Sequence, residues 1–354
     1  MNTNIATRPP SPDPAGRLQP VQSSEPPPRR ALSGITPSGR LTLGNYLGAL
    51  RRFVERQDGA DHVEGHYFVA DLHALTSGHE TARIRQLTLE TAGLFLAAGL
   101  DPERSVLFIQ SHVREHVELS YLLESTVYVG ELNRMIQFKE KGAHPQTRAS
   151  LFTYPCLMAA DILLYDTHQV PVGGDQDQHV ELCRHLAVRF NRLYGDTFIV
   201  PELSRAALTS RVADLSDPTV KMSKSADDSA AGVVRLLDPP DVVRRKVNRA
   251  VTDSDNEVRY DPESKPGVSN LLAIIAAVDG VDPAACAAGI SSYRQLKTEC
   301  TDRVIACLSP LQQRHAELMA EPQELTATLQ RGAERAAQLA APVLARARTA
   351  IGLM

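Results

Sequence analysis

The chain has 354 residues, of which 43% are hydrophobic and 23% charged, with a formal net charge of −4. This composition fits a soluble globular protein with room for one large domain and a smaller one, and its overall charge provides no basic footprint for nucleic acid. No apolar run approaches the roughly 18–20 residues of a bilayer span, and the N-terminus lacks the apolar stretch of a secretory signal, so neither a membrane protein nor a secreted one is expected. Five cysteines without a C-x-x-C pair point to a reducing compartment, taken as the cytoplasm, and away from a disulfide framework or a cysteine zinc site.

Residues 1–30 hold eight of the 23 prolines and almost no large apolar residue, so a tail without a packed core is expected there. From Ala31 strands and helices alternate. Ala31–Ile35 reads as a strand, Thr36-Pro37-Ser38-Gly39 as a turn, and Leu43–Arg56 as a helix with Leu43, Leu47, Leu50 and Val54 on one face. His66–Ala70 reads as a strand, and Ser77-Gly78-His79-Glu80 as a capping box opening a helix to Ala98. Val106–Ile109, Gln169–Val172 and Phe198–Val200 read as further strands, Glu115–Val127 and Gln176–Leu193 as helices. That order predicts a Rossmann-type, doubly wound parallel sheet over residues 31–228, with ligands beyond the carboxyl ends of its strands. From about residue 229 strand-like runs disappear. Val233–Leu237, Leu271–Val278 and Arg303–Leu318 read as successive helices of an all-helical domain over 229–354, with the last helix a candidate to pack back on the first domain. Arg244-Arg245-Lys246 with Arg249 forms a local basic cluster within it.

Two distant segments carry candidate chemistry. Ser33–Tyr46 is a strand end, a turn bracketed by Gly34 and Gly39, and a helix start at Gly44-Asn45; helix starts favour anions because their N–H groups are unpaired, although an ordinary β–α connection fits equally well. Some 180 residues on, the loop Lys221-Met222-Ser223-Lys224-Ser225 offers two ammonium groups and two hydroxyls, a grip for a polyphosphate or, taken alone, a solvated basic turn. Between them, Tyr154, Met158 and Asp161 share one helical face that presents a phenol, a thioether and one carboxylate, which suits an indole with its apolar body and single N–H donor. Asp175-x-x-Gln178 can be a helix-capping pair, and His73 a structural histidine. His112-Val113-Arg114-Glu115-His116 matches the H-x-x-E-H zinc pattern but has no evident third ligand.

Together the first segment, with Thr42-Leu43-Gly44-Asn45, and the Lys221–Ser225 loop resemble the paired signature elements of class I aminoacyl-tRNA synthetases. Gly130–Lys141, Tyr154–Leu164, Val170–His179, Val251–Ser254 and Lys265–Leu272 narrow the resemblance to the tryptophanyl-tRNA synthetases, from about Leu32 to the C-terminus. The resemblance implies activation of L-tryptophan with ATP and transfer to tRNA(Trp), with Mg²⁺ carried on the phosphates, a homodimer, and anticodon reading by the helical domain. It assigns catalysis to Thr42, Asn45, Lys221, Ser223 and Lys224. ATP would lie on Thr36, Pro37, Ser38, Gly44, Asn45, Gly173, Gly174, Asp175, Val212, Lys221, Met222, Ser223, Lys224 and Ser225. Tryptophan would lie among Leu32, Gly34, His73, Gln137, Tyr154, Met158, Asp161, Val170, Val172 and Gln176, with Asp161 accepting the indole N–H. Met158 stands where tyrosyl-tRNA synthetases usually place a Gln, which favours tryptophan over tyrosine; a non-charging regulatory paralogue is the remaining alternative. Leu32, Cys156 and Gly174 depart from the family pattern and are expected to bear on ligand affinity.

Overall fold

The computed structural model describes residues 30–59, 63–78, 80–142, 144–172, 177–205 and 212–354. The tail expected over 1–30 lies outside them except for Arg30, as do Gly173, Gly174, Asp175 and Gln176. Five parallel strands, β1 (Arg30–Ile35), β2 (Glu64–Val69), β3 (Val106–Ile109), β4 (Gln169–Val172) and β5 (Glu202–Arg205), form one sheet in the order β3-β2-β1-β4-β5. The order reverses between β1 and β4, which opens a crevice beyond their carboxyl ends. The last strand lies downstream of Phe198–Val200. There the Asn191 side chain occupies the backbone instead, accepting the N–H groups of Thr197 and Phe198 and donating to the Phe198 carbonyl at 2.8 Å.

Between β1 and β2 one continuous helical rod runs through α1 (Leu43–Asn45), a π-helical turn (Tyr46–Leu50) and α2 (Arg51–Asp58). After β2 come α3 (Asp71–Ala74) and α4 (Thr81–Ala97). The capping box expected at Ser77–Glu80 does not form: Glu80 is the N-cap without a side-chain bond, and the Ser77 hydroxyl donates back to the Ala74 carbonyl. The sheet's helices continue with α5 (Glu115–Glu124), α6 (Val129–Leu132), α7 (Ile136–Lys141), α8 (Ala149–Leu163) and α9 (Asp177–Tyr194).

The helical portion comprises α10 (Pro240–Asn248), α11 (Pro266–Asp279), α12 (Pro283–Cys286), α13 (Tyr293–Ala320) and α14 (Pro322–Ile351). Val233–Leu237 is not a helix. It is a strap that bridges to Thr42 at Arg235 and turns at Leu236-Leu237; its Val234 carbonyl accepts from Leu43 N and its Leu236 N–H donates to the Leu41 carbonyl, both at 2.9 Å. The pair Pro239-Pro240 explains the difference, since proline keeps the preceding residue extended and suits the first turn of α10.

The strands are apolar on both faces because both are covered. Tyr67, Val69, Leu107 and Ile109 point to one core, shared with α4, α10, α11 and α13. Phe68, Val106 and Phe108 alternate to the other, built with α5, α8, α9 and α14. Helix α14 thus returns to the sheet. Gly332 makes the approach feasible, for a Cβ there would stand 1.7 Å from the Leu107 carbonyl oxygen.

Candidate active site

The turn after β1 leads into a reciprocal cap. Thr42, fully buried, accepts the Asn45 N–H on its hydroxyl oxygen at 3.3 Å, while Asn45 Oδ1 accepts both the N–H and the hydroxyl of Thr42 at 3.0 Å. This geometry fixes the start of the rod and turns the Asn45 carbonyl oxygen inward. Gly44 lies within this cap, and a Cβ on it would lie 3.6 Å from Val212 and 3.8 Å from Met222. The first segment and the lysine loop therefore converge, as do the two ATP-assigned residues Gly44 and Val212.

Met222 is the buried root of the lysine loop, its N–H bonded to the Val212 carbonyl at 3.1 Å. Lys221, Ser223 and Ser225 are exposed around it. Lys224 reaches back to the first loop, where its ammonium donates to the Thr36 carbonyl at 2.6 Å. Burial, and secondarily the charge of Lys221, pull the Lys224 ammonium down to about 8. Backbones meet here too: a Cβ on Gly39 would lie 2.0 Å from the Lys224 carbonyl oxygen, so only glycine allows this seating. Pro37 is buried beneath the turn and Ser38 exposed on it. A triphosphate entering at the strand ends would meet ammonium groups from one loop and the glycine-lined turn of the other.

Helix α8 brings Tyr154, Met158 and Asp161 to one face. Asp161 is 2% exposed and densely bonded. Its Oδ1 receives Gln110 Nε2 at 2.7 Å and His116 Nδ1 at 2.6 Å; its Oδ2 meets His73 Nε2 at 2.8 Å. Burial acts to raise this carboxyl, but the hydrogen bonds from His116 and His73 outweigh it and hold Asp161 below its ordinary value. Burial also drives the Tyr165 phenol far above its ordinary range, so its O–H donates to His116 Nε2 at 2.7 Å and leaves the Nδ1 proton for Asp161; this tautomer is assigned from the network. Gln110 is oriented the same way, because its Oε1 takes the Leu72 N–H at 3.2 Å. A carboxylate has about four acceptor sites. Three are taken here by Gln110, His116 and His73.

Gln110, His116 and Tyr165 were not among the residues singled out by sequence as ligand-binding. Only His116 left a signal, in the zinc-like pattern, and the structure separates that pattern: His112 is exposed on a short 3-10 turn while His116 points inward at the start of α5. Among the described residues no group of three or more His, Cys, Asp or Glu is placed to hold a metal ion.

The other assigned residues are distributed as follows. His73 follows β2 and Tyr154 bonds His179, with burial holding the Tyr154 phenol above its usual range. Met158 is half-buried, Leu32 and Val170 are buried, Gly34 is exposed beside the Phe68 ring, and Gln137 is half-buried on α7. Val172 pairs with Arg205 through its backbone at the end of β4. The capping pair expected of Asp175 and Gln178 falls partly outside the described residues; Gln178 accepts the Ile136 N–H at 2.9 Å and donates to the Arg134 carbonyl at 3.1 Å, tying α7 to α9. Cys156 faces the core, away from the Tyr154–Asp161 face, and burial pushes its thiol up to about 12. Lys246 leaves the basic cluster: it is buried, donating to Asp238 Oδ2 at 2.8 Å and the Val233 carbonyl at 2.7 Å, while Arg244, Arg245 and Arg249 stay exposed.

Residues 25–309 match the family model described as tRNA synthetases class I (W and Y). The chain is 54% identical to tryptophan–tRNA ligase 1 of Streptomyces avermitilis over 332 residues, covering 92% of this chain and 99% of that one. Among solved structures, tryptophanyl-tRNA synthetase from Mycoplasma pneumoniae superposes with a TM-score of 0.84 at 36% identity, over 92% of this chain and 98% of that one. The Campylobacter jejuni enzyme, solved with ADP and tryptophan, gives a TM-score of 0.77 at 31% identity over 92% of this chain and all of that one (100%).

Proposed function

The chain belongs to the class I tRNA synthetases, in their tryptophan branch, and is a tryptophan–tRNA ligase; from that premise we propose how its residues carry out the reaction. The tryptophan carboxylate attacks the α-phosphorus of ATP, forming tryptophanyl-adenylate as the bond to pyrophosphate breaks. The adenylate's carbonyl is then attacked by the terminal ribose hydroxyl of tRNA(Trp), releasing AMP. Lys221 and Lys224 neutralise the leaving pyrophosphate, and the Thr36–Gly39 turn with Gly44 and Asn45 holds the nucleotide. Catalysis on this reading is alignment and electrostatic stabilisation, with no covalent intermediate on the protein.

Asp161 receives the indole N–H on its carboxylate. A ligand without a donor there leaves a buried charge unpaired, which is the basis of the discrimination. Because the groups at the phosphate position are cationic, a Mg²⁺ ion would be held by the phosphates themselves, and when bound it adds to their charge neutralisation.

A homodimer is supported by exposed apolar side chains on one face of α5, Val117 (56% exposed) and Tyr121 (70% exposed). Val117 also lines, with Leu72, Leu75 and Leu157, a cleft of about 200 Å³. The exposed Arg244, Arg245 and Arg249 support RNA binding by the helical portion, read here as the anticodon-recognising domain. The reaction's partners support a cytoplasmic location.

The observation that carries the mechanism is the contact of Lys224 with Thr36 across 188 residues of chain, at the sheet end where Asp161 also lies. Its test is amino-acid-dependent ATP–pyrophosphate exchange with tryptophan and tyrosine side by side. Exchange with tryptophan alone is expected; exchange with tyrosine, or with neither, overturns it. The tyrosyl reading and the non-charging paralogue have no observation in their favour, since the relative at 54% identity is a tryptophan ligase and both loop lysines are in place.

A further inference from the structure

The strap Val233–Asp238 runs between the two nucleotide loops and the helices behind them, and it buries a guanidinium. Arg235 is 3% exposed. Its Nη1 donates to the carbonyls of Arg40 at 2.9 Å and Lys224 at 3.1 Å, and its Nη2 to those of Ala226 at 2.7 Å and Asp227 at 3.1 Å. One side chain thus satisfies four backbone acceptors, one on the first loop, one on the lysine loop and two on the residues that directly follow it. Among the described residues no carboxylate forms an ion pair with it. Burying a charge in this way is costly unless its donors are used, and a planar fork of five donors spans several carbonyls where an ammonium cannot.

The strap is itself anchored. The Arg235 N–H donates to Asp238 Oδ2 at 2.8 Å, Lys246 ties Asp238 to the Val233 carbonyl, and Gln312 of α13 donates to the carbonyls of Leu236 at 2.7 Å and Asp238 at 2.9 Å. On the loop's far side Arg83 of α4 forms an ion pair with Asp228. The carboxyl end of the lysine loop is therefore held from two elements.

We propose that Arg235 is a positioning residue for adenylate formation: it fixes the loop bearing Lys224 against the Thr36–Arg40 turn, so that the ammonium meets the phosphates already aligned. This inference rests on the ATP-dependent reading given above. Loosening this end of the loop lets Lys224 drift, and a displacement of about 1 Å at a reacting centre can cost on the order of 100-fold. Tryptophan binding, which depends on Asp161 and α8, should not follow.

The test compares Arg235→Gln, Arg235→Lys and the rim variant Arg83→Gln with the wild type. Tryptophan binding is read by ligand fluorescence, which the chain's lack of tryptophan leaves free of background from that residue. ATP kinetics are read by tryptophan-dependent pyrophosphate exchange, with melting temperature alongside. Arg235→Gln should lower kcat/KM for ATP by roughly 100-fold with tryptophan affinity within about twofold of wild type, Arg235→Lys should recover part of the loss, and Arg83→Gln should cost a few-fold. Unchanged ATP kinetics in a folded Arg235→Gln, or equal loss of tryptophan and ATP binding, overturns the proposal. If Arg235→Gln does not fold, wild-type ATP kinetics in Arg235→Lys overturn it. A wild type inactive in exchange would instead overturn the functional reading itself.

Discussion

His116 Nδ1 lies 2.6 Å from Asp161 Oδ1, with the imidazole fully buried and the carboxylate 2% exposed. The imidazole donates to the carboxylate while Tyr165 holds its other nitrogen, and this keeps Asp161 ionised and directed as an acceptor. His116→Leu removes that donor, so the Asp161 carboxyl should rise and the acidic limb of kcat/KM for tryptophan should move to higher pH. A carboxyl whose folded pKa lies below its unfolded one adds stability that is present above the unfolded value and lost as pH falls through the folded value. The stability gap between wild type and variant, about 1–3 kcal/mol at neutral pH, should therefore close on acidification. Pyrophosphate exchange across pH and thermal melts check both; a gap that does not change with pH would remove Asp161 as the partner that matters.

Lys224 has its ammonium pulled down to about 8. The charged form grips phosphate, so kcat/KM for ATP should fall on the alkaline side with an apparent pKa near 8, the free enzyme being what that parameter reports. Lys224→Arg stays charged throughout and should lack that limb. Lys224→Ala should slow adenylate formation by about 10²–10³-fold, the scale for losing one transition-state donor, with tryptophan affinity unchanged.

Gly39→Ala puts a methyl 2.0 Å from the Lys224 carbonyl oxygen, where the obstacle is backbone and cannot rotate away. The loop must shift, and exchange should drop by roughly 10–100-fold while the melting temperature stays near wild type, because the clash lies between two loops and not among the side chains of either core. Wild-type exchange in this variant would show that the contact of the two loops is not needed for the reaction.

Gly332→Ala acts elsewhere. Its Cβ would collide with the Leu107 carbonyl oxygen at 1.7 Å and push α14 off β3. Overpacking of this kind costs about 1–3 kcal/mol, so thermal denaturation should shift down by several degrees with little change in KM for tryptophan.

Much of this was legible from local pattern. The strand–turn–helix of β1 and the rod after it follow from apolar spacing and from Pro37 and Gly39, and the face shared by Tyr154, Met158 and Asp161 follows from helical period alone. The errors were also local in origin. Val233–Leu237 has a helical composition, yet the neighbouring prolines and the hydrogen bonds offered by Leu41 and Leu43 drew it into a strap. Phe198–Val200 looks like a strand because it is apolar, but Asn191 had already taken the backbone groups a strand would have paired.

Sequence alone determined which residue types meet the chemistry, two loop lysines, a glycine turn and one carboxylate on an apolar face, because each belongs to a short segment whose spacing is its own signal. Only the tertiary structure decided what surrounds them. The donors to Asp161 come from positions 45, 51 and 88 residues away, and the guanidinium that joins the two loops sits 195 residues from Arg40. Contacts made by folding the chain back on itself follow from packing and hydrogen-bond satisfaction, and these leave no periodic trace along it.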